Sequence, residues 1–184
     1  MDLLPLNFVF HALHFAAGKH RNQRRKGADA APYINHPIGM VNLLWNEAGV
    51  HDFAVITAAL LHDTVEDTDT TFAELTEKFG AEVSDLVAEV TDDKSLPQKE
   101  RKQQQIDHAP HLSPKAKLVK LADKISNLRD VSSTPPDWTM ERKRDYFTWA
   151  KQVIDPIRGT HPKLEEIFDQ VYADGMEKLT QDQP

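Results

Sequence analysis

Apolar residues recur three and four positions apart in nearly every segment of the chain, and this spacing constrains the fold more than any other feature. One face of an α-helix repeats at that interval, whereas a half-buried strand alternates every second residue. Only 7 glycines interrupt the pattern, and most of the 11 prolines stand where one segment gives way to the next. The sequence therefore predicts an all-α bundle of about eight to ten helices, forming a single domain over residues 1–184.

The clearest helix is predicted at residues 51–63, where apolar side chains occupy nearly every side. A helix that is apolar all round is buried in the centre of a protein. Residues 71–74 have the sequence of a capping box, which opens a helix that Gly80 then ends. Two stripes nearer the N-terminus are expected to face the core: Leu6, Phe10, Leu13 and Ala17, and then Ile38, Val41, Leu44 and Trp45.

Composition excludes several classes of function. The chain has no cysteine, which excludes disulfide scaffolds, thiolate zinc sites and cysteine nucleophiles, so any metal must be held by His, Asp, Glu or Asn. The net charge of −7 argues against binding to nucleic acid polymers, because that requires a basic face. No apolar run approaches the length of a membrane span, and we expect a cytoplasmic protein. The sequence predicts no oligomeric state.

Four ionisable residues lie at the end of the most apolar helix and just beyond it: His62, Asp63, Glu66 and Asp67. A buried carboxylate without a partner is costly, and no Lys or Arg lies between residues 50 and 71 to offset it. A divalent metal is a natural alternative, since imidazole and carboxylate groups are common ligands for such ions. Taken alone, the segment is equally well explained as the polar end of a helix.

Two further segments carry residues of the same chemistry. Lys120, Asp123 and Asn127 are spaced three and four apart and share one helix face, which by itself would indicate a solvated surface. His36 stands before Pro37 at a predicted helix start, where a histidine is more often incidental than a ligand. Together with the first segment, they offer two histidines and two aspartates from three helices.

These residues resemble the HD-domain phosphohydrolases, in which an early His, an adjacent His-Asp pair and a distant Asp coordinate one divalent metal. His36, His62, Asp63 and Asp123 fill the four positions. Three segments are similar to the hydrolase motifs of RelA/SpoT-type proteins: residues 33–37, 61–68 and 119–128. The match extends from the first predicted helix through an aromatic-rich one that contains Trp138, Tyr146 and Trp149, without a synthetase or regulatory segment. The chain thus resembles the small stand-alone alarmone hydrolases, the Mesh type included.

The resemblance implies removal of pyrophosphate from the ribose 3′ position of (p)ppGpp, usually with manganese. The oxygen-rich ligand set suits Mn²⁺ or Mg²⁺ better than a soft metal, although zinc and iron also bind such groups. Glu66 and Asp67 lie one helical turn beyond the His-Asp pair and are candidates to orient or deprotonate the attacking water and to protonate the leaving oxygen. In the family, this Glu-Asp pair distinguishes the members that hydrolyse their substrate.

Substrate contacts are predicted partly by the resemblance and partly by closeness in sequence. The resemblance places Asn127 near the sugar, Tyr33 near the base, and Arg25 and Lys26 beside the guanine or ribose. Residues 19–26 are strongly basic, which also fits a solvated helix end before Gly27. The remaining candidates are Arg21 and Arg24 for phosphate attraction, Lys94 and Lys99 for pyrophosphate, and Arg142 and Tyr146 for phosphate and ribose.

One position departs from the family pattern. The family often places a lysine where Gln98 stands, and the neighbouring Lys99 is a candidate substitute. Two other functions fit the same residues. One is an NADPH 2′-phosphatase or another nucleotide phosphohydrolase that uses the same metal and water. The other is a nucleotide-binding HD protein without turnover, although inactive relatives typically lose ligands or the Glu-Asp pair, which are intact here.

Overall fold

The computed structural model of the protein describes residues 4–181, and within them all regular structure is helical apart from one isolated β-bridge between Arg24 and Pro32. The α-helices in chain order are α1 (Leu4–Lys19), α2 (Asn35–Asn42), α3 (Phe53–Leu61), α4 (Thr64–Asp67), α5 (Phe72–Phe79), α6 (Ala81–Val90), α7 (Gln98–His108), α8 (Pro114–Ser133), α9 (Met140–Ile154) and α10 (Pro162–Gln181). A π-helix follows α2 at Leu43–Glu47, and short 3₁₀ turns follow α7 at Ala109–His111 and α9 at Asp155–Ile157. The predicted all-α fold is confirmed.

Helices α3 and α8 form the centre of the bundle. Seven of the nine residues of α3 are buried, and it packs against α1, α2, α6 and α8. Helix α8 is buried on most sides and also contacts α2, α6, α9 and α10. The Asp52 carboxylate starts α3 by accepting hydrogen bonds from the backbone N–H groups of Ala54 and Val55. The helix therefore begins two residues later than the sequence pattern predicts, but it is buried as expected.

The predicted orientation of the first two stripes is partly wrong. Leu6 and Phe10 are 41% and 60% exposed, and Ile38 is 44% exposed. Helix α1 instead buries Ala12 and Ala16, where it packs against α3. Small side chains at this contact leave the larger ones facing outward. Since hydrophobic spacing fixes only the period of a helix, a chain with apolar residues on several faces leaves its rotation undecided.

Helix α5 begins and ends where its capping residues predict. Thr71 Oγ1 accepts a hydrogen bond from Glu74 N at the start of α5, and Gly80 ends the helix with a φ of 84°. The interpretation of the basic residues 19–26 as a solvated helix end is wrong, because α1 already ends at Lys19. Residues 20–26 therefore belong to a loop and not to the end of a helix.

None of the helices described over residues 4–181 is both long enough and apolar enough to span a membrane.

A close contact between α9 and α10 predicts the effect of one substitution. A Cβ atom on Gly175 would lie 2.2 Å from Cε1 of the fully buried Phe147 and 2.4 Å from its Cζ. Gly175→Ala should therefore lower the free energy of unfolding by about 2 kcal/mol, as expected for overpacking of a core. Urea denaturation measures this loss.

Gly18→Ala is the matched control, because no atom lies within 4 Å of a Cβ placed there in α1. This variant should be at least as stable as the original protein, since alanine favours a helix over glycine by about 0.5–1 kcal/mol. Equal stability of the two variants would contradict the packing described for α10.

Candidate metal centre and the cavity around it

His36, His62 and Asp123 bring their ligand atoms together at the centre of the bundle. These atoms all lie within 4.8 Å of one another. Asp123 Oδ1 is 3.4 Å from His36 Nε2 and 3.9 Å from His62 Nε2. We call these three residues the metal cluster. They come from the first turn of α2, the residue after α3 and the middle of α8, so the packing of α3 against α2 and α8 sets their spacing.

Hydrogen bonds on the far side of each imidazole aim its free nitrogen at the cluster. His62 Nδ1 lies 2.9 Å from the carbonyl oxygen of Ala59, which can only accept, and His36 Nδ1 lies 3.0 Å from Ser126 Oγ. The opposite atoms, His36 Nε2 and His62 Nε2, are buried and make no hydrogen bond of good geometry, although they lie 3.4 Å from an Asp123 oxygen and 2.8 Å from an Asp63 oxygen, respectively. Orphaned nitrogens beside a carboxylate are what a divalent cation requires, so these residues fit a metal.

Asp63 lies beside the metal cluster. Its Oδ2 atom is 2.8 Å from His62 Nε2 and accepts a hydrogen bond from the Tyr33 hydroxyl. The structure thus brings the four predicted ligands into one region, although the compact group contains only three of them. Tyr33, which the sequence placed near the base, contacts the carboxylate of a predicted ligand.

The ionisation of the metal cluster reflects burial and opposite charges. Burial lowers the pKa of His36, with the nearby Arg25 adding to this effect. Burial also disfavours the charged form of His62, but the carboxylates of Asp63 and Asp123 outweigh it and raise the pKa to about 9. The pKa of Asp123 is held well below its usual range because Lys124 and the imidazoles outweigh burial. Without a cation, His62 is therefore the main positive partner of Asp63, and Lys124 is that of Asp123.

Glu66 and Asp67 lie on the one-turn helix α4 and face the same cavity, which has a volume of about 270 Å³ and which we call the metal cavity. Burial and the negative charge of Asp63 raise the pKa of Glu66 to about 7, despite a hydrogen bond of 3.1 Å from Asp92 N to its Oε2. Asp67 pairs with Lys94, whose amino group is half exposed. A carboxyl group that titrates near neutral pH is suited to proton transfer.

The polar face of α8 lines this cavity and is not solvated. The Lys120 side chain is buried and donates a hydrogen bond of 3.1 Å to the carbonyl oxygen of Val90. Asn127 Nδ2 donates to Asp123 Oδ1 at 2.5 Å. The interpretation of this face as solvent-exposed surface, which its spacing alone favoured, is therefore wrong.

Arg25 connects the basic loop to the metal cluster through Asn127. Its guanidinium donates to Asn127 Oδ1 at 2.6 Å and to Asp130 Oδ2 at 2.8 Å, and it lies 5.4 Å from the centre of the Tyr33 ring. Because Asn127 in turn donates to Asp123, one continuous network runs from the loop to a predicted metal ligand. A group that binds at Arg25 is thereby positioned relative to the metal cluster.

A wider groove of about 840 Å³ adjoins the metal cavity, and we call it the outer groove. The predicted substrate-contact residues that line it are Arg24, Arg25, Lys26, Tyr33, Lys94, Asn127, Arg142 and Tyr146. Two others do not line either space: Arg21 and Lys99 are exposed. Lys99 is thus not placed where it can replace the lysine missing at position 98. Arg142 lies 4.5 Å from the centre of the Trp138 ring.

The sequence did not indicate several residues that form the cavity wall. Gln23 donates to the backbone oxygen of Asp67 at 2.6 Å, and Ser126 orients His36. Arg101, Lys102 and Lys124 contribute positive charge to the wall of the metal cavity. One signal was available for the first two cations, since they follow Gln98 by three and four residues on α7 and so share its helix face.

Comparison with known proteins places the chain in a family. The family model for the HD domain matches residues 12–150, which is most of the sequence. The chain belongs to the HD-domain family. Its relatives include proteins named guanosine-3′,5′-bis(diphosphate) 3′-pyrophosphohydrolase MESH1. The Mus musculus protein is 56% identical over 167 residues, covering 90% of this chain and 93% of the relative. The Drosophila melanogaster protein is 52% identical over 173 residues, covering 94% and 97%.

Solved structures agree with this placement. A structure described as a metazoan orthologue of SpoT that hydrolyses ppGpp has a TM-score of 0.88 at 49% identity, covering 91% of this chain and 94% of the other. A Listeria monocytogenes protein gives a TM-score of 0.65 at 31% identity, covering 80% and 97%. The predicted membership in the HD-domain family, and its Mesh-type branch, is therefore confirmed.

The raised pKa of His62 predicts that metal binding releases a proton. With a pKa of about 9 the metal-free imidazole is protonated at pH 7, and it must become neutral to bind a cation, whereas burial keeps His36 neutral. Adding Mn²⁺ at pH 7 should therefore release about one proton per site, and this release should decline as the pH rises through 9. Calorimetry in buffers of different ionisation enthalpy counts the protons.

His51→Gln is the control, because His51 lies outside the metal cluster and should not alter the proton count. A binding heat at pH 7 that is the same in every buffer would contradict the assignment of His62 as a ligand.

Proposed function

We propose that the protein hydrolyses the 3′-pyrophosphate of (p)ppGpp to give GDP or GTP and pyrophosphate. The observation that carries this proposal is the metal cavity, in which two orphaned imidazole nitrogens, buried carboxylates and the Glu66–Asp67 pair face one space. The names of the MESH1 relatives, which share more than half of their residues with this chain over most of its length, support the choice of substrate.

The proposed ligands of the cation are His36, His62, Asp63 and Asp123. Carboxylate oxygens and imidazole nitrogens without any thiolate suit Mn²⁺, and Mg²⁺, zinc and iron are the alternatives that a metal analysis distinguishes. A divalent cation held there lowers the pKa of a bound water and polarises the scissile phosphate. His36 is held in place by its hydrogen bond with Ser126, His62 by donating to the carbonyl oxygen of Ala59, and Asp63 by accepting from Tyr33.

Glu66 and Asp67 are proposed as the acid–base pair of the reaction. Water attacks the phosphorus bound to the ribose 3′ oxygen, that P–O bond breaks, and the 3′ oxygen receives a proton while the water loses one. Glu66 is suited to carry the proton because it is partly buried and its pKa is about 7. The backbone N–H of Asp92 and the side chain of Lys94 fix the two carboxylates.

The nucleoside is proposed to lie in the outer groove. Arg25, Lys26, Tyr33 and Asn127 form the part next to the metal cavity, where the base and ribose are expected. Arg24, Lys94, Arg142 and Tyr146 line the remainder, within reach of phosphate and ribose oxygens. Arg21 and Lys99 are exposed and line neither space, so the proposal gives them no contact with the nucleotide.

The remaining features of the proposal concern the setting of the protein. We propose a cytoplasmic, single-domain enzyme that acts on a small nucleotide and not on a nucleic acid polymer. The net charge of −7 supports the choice of a small nucleotide, because binding to a nucleic acid polymer requires a basic face.

Glu66→Gln combined with Asp67→Asn tests the chemistry. The double variant should lose at least about 100-fold in kcat for ppGpp, because both proton-transfer groups are gone, while it retains its Mn²⁺ content. Product identification by chromatography and elemental analysis measure the two quantities. Asp69→Asn is the control in the same segment, since Asp69 is exposed and pairs with Lys19 outside the cavity; its turnover should be unchanged.

The comparison of substrates tests the specificity. ppGpp, pppGpp and NADPH are offered to the Mn²⁺-loaded protein, and their kcat/KM values are compared. A higher kcat/KM for the 2′-phosphate of NADPH than for ppGpp would favour the alternative phosphatase. Binding of ppGpp without any turnover would favour the non-catalytic protein.

A further inference from the structure

Helix α7 turns one positive face toward the metal cavity. Gln98, Arg101, Lys102 and Gln105 are spaced three and four residues apart, and all four line that cavity. Lys99, on the same helix, is exposed and lines neither the metal cavity nor the outer groove. The two cations of this face, Arg101 and Lys102, lie one helical turn deeper than Gln98, and we call them the α7 cations.

Lys102 carries a positive charge that no carboxylate neutralises at close range. Within the described part of the chain, no carboxylate oxygen lies within 4.0 Å of its amino group, which instead lies 4.8 Å from the centre of the Trp149 ring and 5.6 Å from that of Tyr146. Burial lowers its pKa, and the charges of Arg142 and Lys124 add to this effect while the more distant Asp145 opposes it. An amino group held between aromatic rings and repelled by neighbouring cations is positioned to attract an anion.

Arg101 offers a hydrogen-bond donor that the protein leaves unused. Its Nε atom is buried and has no hydrogen-bond partner, while one terminal nitrogen lies 4.0 Å from Glu66 Oε1. A buried donor without a partner costs free energy, so such groups usually have a ligand or a water to bind. A guanidinium in this position presents further N–H groups to an oxyanion in the cavity.

The two buried lysines of α8 in this wall already have partners, since Lys120 donates to the carbonyl oxygen of Val90 and Lys124 is paired with a carboxylate. Lys124 Nζ lies 3.0 Å from Asp123 Oδ2 and 4.4 Å from the centre of the Trp149 ring. The Trp149 indole also donates a hydrogen bond of 3.0 Å to the backbone oxygen of Lys102, which fixes α7 to α9 at this point. Lys102 is therefore held in place by the aromatic residues, and it remains available for an external anion together with Arg101.

We propose that Arg101 and Lys102 bind the terminal phosphate of the 3′-pyrophosphate, the phosphate that is not attacked. This inference rests on the proposed function, because it assumes that the inner phosphate lies at the metal cluster. The metal cavity contains both the metal cluster and the α7 cations, so an anion of two linked phosphates engages both. A single phosphate at the metal cluster leaves the α7 cations without a ligand, and this subsite therefore favours pyrophosphoryl over phosphoryl substrates.

Binding of inorganic pyrophosphate to the Mn²⁺-loaded protein tests this subsite without turnover. Lys102→Met removes the charge and keeps most of the side-chain volume, and it should weaken pyrophosphate binding on the order of tenfold while leaving inorganic phosphate unaffected. Lys99→Met is the matched control, since it removes the same charge from the exposed face of α7, and it should bind pyrophosphate like the original protein. Calorimetry gives both affinities, and metal content is measured before and after, because pyrophosphate itself binds Mn²⁺.

Two further variants separate binding from folding. Lys102→Arg should retain most of the affinity, and Arg101→Gln should show the same selective loss as Lys102→Met, with thermal unfolding of each variant compared to the original protein. Equal pyrophosphate affinity in Lys102→Met and Lys99→Met would overturn the inference, as would a parallel loss of phosphate binding.

Kinetics distinguish this inference from the function on which it rests. Lys102→Met should raise KM for ppGpp on the order of tenfold with little change in kcat, and it should leave the hydrolysis of a guanosine 5′-diphosphate 3′-monophosphate unchanged. If the original protein binds pyrophosphate through Lys102 but does not hydrolyse ppGpp, the proposed function fails while the anion subsite stands.

Discussion

Helix α3 is almost entirely apolar, and the polar cluster at its end is buried together with it. The rest of the structure depends on this arrangement. Burial of α3 among four other helices fixes His62 next to Asp123 on α8 and His36 on α2. The bundle thereby collects carboxylates and imidazoles where water is scarce, and the attraction of His62 and Lys124 for the two aspartates outweighs the effect of burial on their ionisation. The same packing of α3 against α2 and α8 therefore determines both the buried core and the capacity to bind metal.

The network of Arg25, Asn127 and Asp123 joins recognition to this centre. Asn127 donates to the carboxylate of Asp123 and accepts from the guanidinium of Arg25, so its amide group has a single orientation that satisfies both neighbours. A nucleotide that displaces or shares the Arg25 interaction therefore changes the surroundings of a metal ligand. In the proposed complex, the position of the sugar and that of the scissile phosphate are therefore coupled through the Asn127 side chain.

The sequence correctly predicted those elements whose residue types are compatible with only one environment in a folded protein. Residues 53–61 are too apolar to lie at a surface, and the His-Asp pair that follows them has no cation nearby in sequence to offset its charge. The rotation of α1 was not predictable, because Leu6 and Phe10 are as apolar as the alanines that are buried in their place. Arg101 and Lys102 were also missed, since a surface helix and a cavity wall have the same polar composition until α7 is placed against α9.

The loop between α1 and α2 has a consequence for how such an enzyme changes over time. Gln23 in this loop holds the backbone of Asp67, while Arg25 and Lys26, only a few residues further on, face the nucleotide groove. Under the proposed function, a change in base preference and a change in the rate of hydrolysis thus both involve the main chain of residues 23–26. Selection on one trait shifts the other, and a new specificity is expected to emerge together with compensating changes in α4.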